Sequence, residues 1–114
     1  MASAQTYFLT IDDLANARGA DPSYAFDGVS PETLASVLQA ALREPGLWER
    51  WRSGQEDPEA VDPASGATDP TASVSGSLAA NRSEIKVTTR LPHAIVKHRL
   101  DLLIGNSWKL RDVS

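Results

Sequence analysis

Residues 84–111 read EIKVTTRLPHAIVKHRLDLLIGNSWKLR, and this stretch decides the fold. Ile85, Val87 and Thr89 alternate with Lys86, Thr88 and Arg90, the two-residue period of a strand with one apolar or β-branched face and one largely basic face. Leu91-Pro92 ends it, because the residue before a proline prefers extended geometry, and Pro92 suits the opening of a helix, where a missing amide hydrogen costs nothing. Ile95, Val96, Leu100, Leu102, Leu103 and Ile104 give that helix its apolar surface, and Gly105-Asn106 closes it. Trp108 and Leu110 then alternate with Lys109 and Arg111, the pattern of a second strand. The crossover rule makes the two strands parallel, as neighbours or flanking a third, with the helix across them.

Upstream, Ser30-Pro31-Glu32 is the clearest helix start in the chain: an N-cap hydroxyl, a proline at the first helical position and an acid near the positive end of the dipole. Leu34, Val37, Leu38, Ala41 and Leu42 follow at spacings of three and four, which gives one buried face. Glu44-Pro45-Gly46 interrupts the helix, and Leu47, Trp48 and Trp51 share one side of the next helical stretch. Nearer the start, Tyr7, Phe8 and Leu9 read as a short strand. Thr10 with Asp13 resembles a capping box, so a helix is expected from Ile11 to the Gly19 cap. Tyr24 and Phe26 alternate between the turn formers Asp21-Pro22 and Asp27-Gly28.

Between these blocks the chemistry changes. Residues 54–81 hold Pro58, Pro63 and Pro70, five acids and no aromatic residue, too little apolar surface to offset roughly 1–2 kcal/mol of backbone entropy per ordered residue. A long, flexible acidic loop is expected there, with weak alternation over Ser73–Leu78 compatible with an edge strand. The fold class is accordingly α+β: a single domain of residues 1–114 with ordered blocks at about 5–53 and 82–114. A short sheet of three or four strands carries two or three helices on one face.

The 114 residues carry a formal net charge of −4, unevenly distributed. Residues 1–81 have four arginines against twelve acids, whereas residues 82–114 have seven basic residues against three acids. Such a division suits mutual attraction within the molecule or a basic surface for an anionic partner. No apolar run approaches the ~18 residues of a membrane span, and Met1 to Tyr7 lack the basic region and apolar core of a signal peptide. No membrane association is therefore expected, and the cytoplasm is the default location. Without cysteine there is no disulfide, thiol nucleophile or thiolate zinc site.

No residue pattern carries catalysis. His93, His98 and Asp101 are the only group of ligand or acid–base types; His98 and Asp101 are spaced so that a carboxylate could orient an imidazole, but His93 points away and the i, i+4 histidine pair of a metal site is absent. No glycine loop is built to cradle phosphate and no serine sits in a strained strand-to-helix turn. The expected class is non-enzymatic, with no cofactor and no metal: a regulatory adaptor binding another protein through its sheet edge or its tryptophan-bearing helix, with Trp48, Trp51 and Arg52 as contact residues. For the tryptophans core packing ranks first and a protein-interface anchor second, since few other large side chains are present to fill the core. Homodimerisation would also support so small a core, since a chain of this size buries only about 60–65% of its unfolded surface.

The alternative is nucleic-acid binding through a basic face of Lys86, Arg90, Lys97, Arg99, Lys109 and Arg111, with the acidic loop as tethered competitor. The order strand, Leu-Pro, helix resembles the first half of ribbon-helix-helix DNA-binding proteins. That fold needs a second helix, whereas only nine residues follow Gly105 and they alternate like a strand.

Overall fold

The computed structural model describes residues 4–114; the expectation drawn from the start of the chain falls partly on residues 1–3, outside that range. Strand β1 spans Gln5–Ile11, helices α1 and α2 span Pro31–Arg43 and Gly46–Ser53, strands β2 and β3 span Ser73–Ala79 and Arg82–Thr89, helix α3 spans His93–Ile104, and strand β4 spans Lys109–Val113. The sheet order is β2-β3-β1-β4 and every neighbouring pair is antiparallel. Strands β3 and β4 are thus parallel to each other with β1 between them, and β1 and β2 are parallel with β3 between them. Two β-α-β units each enclose a strand of the other, a split β-α-β arrangement of the α+β class. Among the described residues no helix is long and apolar enough to cross a membrane.

The strand pattern sorts the two faces. Tyr7, Leu9 and Ile11 of β1 lie opposite Val87, Ile85 and Ser83 of β3, and all six are buried. On this face Leu34, Leu38 and Leu42 of α1 and Val96, Leu100, Leu103 and Ile104 of α3 complete one core. Emptying a site such as Leu38 or Leu103 would remove the transfer energy and leave a cavity, a loss of about 2–5 kcal/mol. Thr6, Phe8, Glu84, Lys86 and Thr88 occupy the opposite, open face, where the Thr6 and Thr88 hydroxyls lie 3.2 Å apart.

Local rules hold where α1 begins: the Ser30 hydroxyl accepts the Thr33 amide at 3.1 Å, with Pro31 next. Pro31 brings its carbonyl onto β2 so closely that a side-chain carbon on Gly76 would stand 2.2 Å from it. That contact explains a glycine in the middle of an edge strand. The β2–β3 hairpin turns on Ala80 and Asn81, both at positive φ (51° and 67°), the backbone of a two-residue turn whose twist matches the strands.

Two expectations are corrected. No α-helix follows β1: the strand continues to Ile11, opposite Ser83, and only a 3-10 turn at Leu14–Asn16 comes after it. Burial of Ile11 in the sheet core outweighs a helix of barely two turns, too short to be stable alone. Residues 54–81, expected as a flexible acidic loop with weak alternation over Ser73–Leu78 compatible with an edge strand, hold two 3-10 turns, Pro58–Ala60 and Pro63–Gly66, and an edge strand, β2, where that alternation lies.

Polar anchors fix this stretch to the core. The buried Asp69 carboxylate accepts the Thr71 hydroxyl (2.6 Å) and amide (2.9 Å), the Thr89 hydroxyl (2.8 Å) and the Arg90 amide (2.9 Å). The Asp69 amide donates to the Leu42 carbonyl at 2.8 Å, and the Arg43 guanidinium donates to the Ala72 carbonyl at 2.7 Å. Burial works against the charge of Asp69, but these hydrogen bonds outweigh it and hold the carboxyl far below its ordinary range.

Candidate functional site

The tryptophan-bearing helix has two sides with different fates. On one, Trp48 is buried and donates its indole N–H to the Ser65 hydroxyl at 3.0 Å. The Arg52 guanidinium stacks over the Trp48 ring at 5.8 Å and donates to the Pro58 carbonyl at 3.0 Å. Gly66 lies against the same ring, where a side-chain carbon would meet it at 2.7 Å. Trp51 sets its ring edgewise to His98, with centroids 4.4 Å apart. Trp48, Trp51 and Arg52, expected to face a partner, are therefore engaged by residues 58–66 and by α3. The physical reason is local supply: the small side chains of these turns bury no residue of their own, so the turns dock on the nearest aromatic surface.

Arg99 shows the same inward turn. It is 1% exposed, donates to the Ser65 carbonyl at 2.7 Å and sits 2.6 Å from His98 Nδ1. Burial draws the guanidinium down to about 10, still charged at neutral pH. Since Arg99 can only donate, Nδ1 of His98 must accept, and the imidazole is neutral. Burial first, and the Arg99 charge second, hold the His98 pKa below its ordinary value. Asp101 does not orient His98: it takes Lys97 Nζ at 2.7 Å and lies 3.4 Å from the Trp108 indole N–H. Among the described residues no group of three or more histidine and carboxylate side chains is placed to hold a metal ion.

The six basic residues expected to form one surface are not brought together. Arg99 is internal. Lys97 pairs with Asp101, and Lys109 lies 3.8 Å from Asp12. Arg90 is exposed at the end of β3. Lys86, 6.0 Å over the Phe8 ring, Arg111, donating to the Thr10 hydroxyl at 2.9 Å, and Lys109, opposite Thr10 in the register, share the open face of the sheet, and Glu84 lines the same shallow depression.

On its other side α2 borders a groove of about 540 Å³. Tyr24, Ala25 and Phe26 form one wall; Val37, Ala40 and Ala41 of α1 form the second; Leu47 of α2 and Leu103 of α3 close the floor. Hydrogen bonds hold the first wall in place: the Phe26 amide donates to the Leu103 carbonyl at 2.8 Å, and the Tyr24 hydroxyl donates to the Arg50 carbonyl at 3.3 Å. Asp27 and Glu44 stand on the rim against a single cation, Arg50. Val37, expected wholly within the buried face, is 37% exposed because it sits where α1 turns from core to groove; Val29, just before α1, is 69% exposed. The break at Glu44-Pro45-Gly46 makes the groove by letting α2 leave the axis of α1. Sequence spacing located the helices but could not show the wall at 24–26, whose position depends on Leu103.

Comparison of the chain with protein-family models, with curated proteins and with solved structures gave no match.

Proposed function

We propose that this protein is a non-enzymatic interaction module that receives an apolar segment of a partner protein in the groove between residues 23–27, α1 and α2. The observation that carries this reading is the groove: three elements converge on an apolar floor, with Val37 left partly exposed at its edge. Its volume lies within the ~300–1,000 Å³ of ligand-binding clefts. Its rim carries two carboxylates against one guanidinium, and the carboxyl end of α1 adds a partial negative charge. The complementary segment therefore presents one or two apolar anchors with lysine or arginine beside them, a pairing that sets both fit and orientation.

Selection of random peptides displayed on phage against the intact protein tests this. Enrichment of sequences combining an apolar anchor with a basic neighbour, whose binding weakens at least about tenfold on Val37→Lys but not on Leu78→Ser, is the expected outcome. No enrichment, or binding indifferent to Val37→Lys, would contradict it.

The nucleic-acid alternative retains Lys86 and Arg111 beside Phe8 on the open face, and Lys109 opposite Thr10, which already lies 3.8 Å from Asp12. With Glu84 on that face, and Asp112 paired opposite Phe8, phosphate attraction there is largely cancelled.

A further inference from the structure

We infer that β4 is a self-association edge, through which two copies of the chain pair antiparallel about a two-fold axis lying between Arg111 and Asp112. This surface is separate from the groove and does not depend on it.

Among the described residues, strand β4 pairs with β1 alone, and all five of its residues are exposed. The register of β1 against β4 assigns each side chain to a face. Leu110 lies opposite Leu9 and Val113 opposite Tyr7, on the helix-covered side of the sheet, yet they remain 39% and 43% exposed. Asp112 lies opposite Phe8 on the open side, and Arg111 reaches the Thr10 hydroxyl on that side as well. The shift in register between Phe8 and Leu9 is what puts Arg111 and Asp112 on one face, since a bulge sets two residues against one.

One antiparallel register satisfies both faces together. It places Leu110 opposite the partner's Val113 and Arg111 opposite the partner's Asp112, and the two-fold repeats both pairs. Two apolar contacts form on one side of the joined sheet and two ion pairs on the other, each a favourable cross-strand pair. A register centred on Arg111 would instead oppose two guanidinium groups. The backbone agrees: Thr6 and Ser114 exchange both hydrogen bonds at 2.9 Å, so by alternation Val113 turns its amide and carbonyl away from β1. In the single chain the Asp112 carboxylate accepts that amide at 2.9 Å. Pairing exchanges this contact for the partner's backbone and frees Asp112 for the partner's Arg111. Capping of this kind blunts an edge against indiscriminate partners, and the short interface makes the dimer a weak, reversible one.

Sedimentation velocity from micromolar to millimolar concentration is the test. The native chain is expected to show a concentration-dependent dimer. Arg111→Asp and Asp112→Arg, each alone, place like charges together and are expected to weaken association at least tenfold. An equimolar mixture of the two variants, and the double swap Arg111→Asp/Asp112→Arg in one chain, restore opposite charges at every pair and should restore the dimer. Circular dichroism of each variant separates loss of pairing from loss of fold, and recovery in the mixture cannot come from a misfolded chain. A native chain monomeric throughout, single variants that dimerise like the native chain, or a mixture that stays monomeric would each overturn the inference.

Discussion

Asp69 joins three parts of the chain through one carboxylate: its own turn at Thr71, the end of β3 at Thr89 and the start of the next loop at Arg90. Replacing it by alanine strands the Thr89 hydroxyl and the Arg90 amide without partners, for an expected loss of about 2–3 kcal/mol measured by urea unfolding. Its folded pKa lies below the unfolded value, so its stabilisation is complete above pH ~4 and drains away as pH falls further. Asp69→Asn should flatten that acid dependence. His98 acts in a higher window: its pKa is also lowered, and protonation would set a second donor against Arg99 at 2.6 Å. Stability contributed by neutral His98 is present above its unfolded value near 6.5 and declines as pH falls below it. The urea midpoint should drop between pH 7.5 and 5.5, and less so in His98→Gln; an unchanged midpoint would show that the imidazole already tolerates its proton. Arg99 itself was legible in part. It lies three residues after Val96 and four before Leu103, squarely on the buried stripe, and a long apolar stem lets a guanidinium enter such a stripe. Reading charge alone sends it to the surface.

At the scale of elements, strong local signals and weak ones separated cleanly. The Ser30-Pro31 start, the break at Pro45 and the β3–α3–β4 sequence follow from capping, proline geometry and period, and the structure contains all three. What composition could not reveal was the order of residues 54–81, because its anchors lie elsewhere: Trp48, Arg52, Arg99 and the end of β3. Strand β2 was visible only as weak alternation, since Ser73, Ser75 and Ser77 supply no apolar face and its pairing depends on β3. Gly76 marks where that strand meets α1. Gly76→Ala forces the Pro31 carbonyl to retreat from a 2.2 Å approach, with an expected cost of about 1–3 kcal/mol by thermal or urea unfolding. A neutral result would mean that β2 and the first turn of α1 are not in contact.

For the molecule as a whole, the sheet divides work between its two sides. Helices cover one face and, where α1 breaks into α2, leave the groove; the other face keeps a mixed set of charges around Phe8. The candidate site was only half readable from sequence. Leu47 and Val37 appeared as parts of apolar helix faces, but a groove exists only because Tyr24–Phe26 are tied to Leu103 and Arg50 through space. Trp48 and Trp51 are engaged within the molecule, by Ser65 and by His98, and the proposed recognition surface uses Leu47 and Arg50 on the far side of the same helix.

Amide chemical-shift mapping of the intact protein, titrated with a short amphipathic peptide of leucine and lysine, tests this account most directly. The groove predicts saturable shifts concentrated at Tyr24–Asp27, Val37, Ala40, Glu44, Leu47 and Arg50, lost in Val37→Lys. Absence of shifts up to millimolar peptide, or shifts centred on Phe8, Lys86 and Arg111 instead, would contradict it.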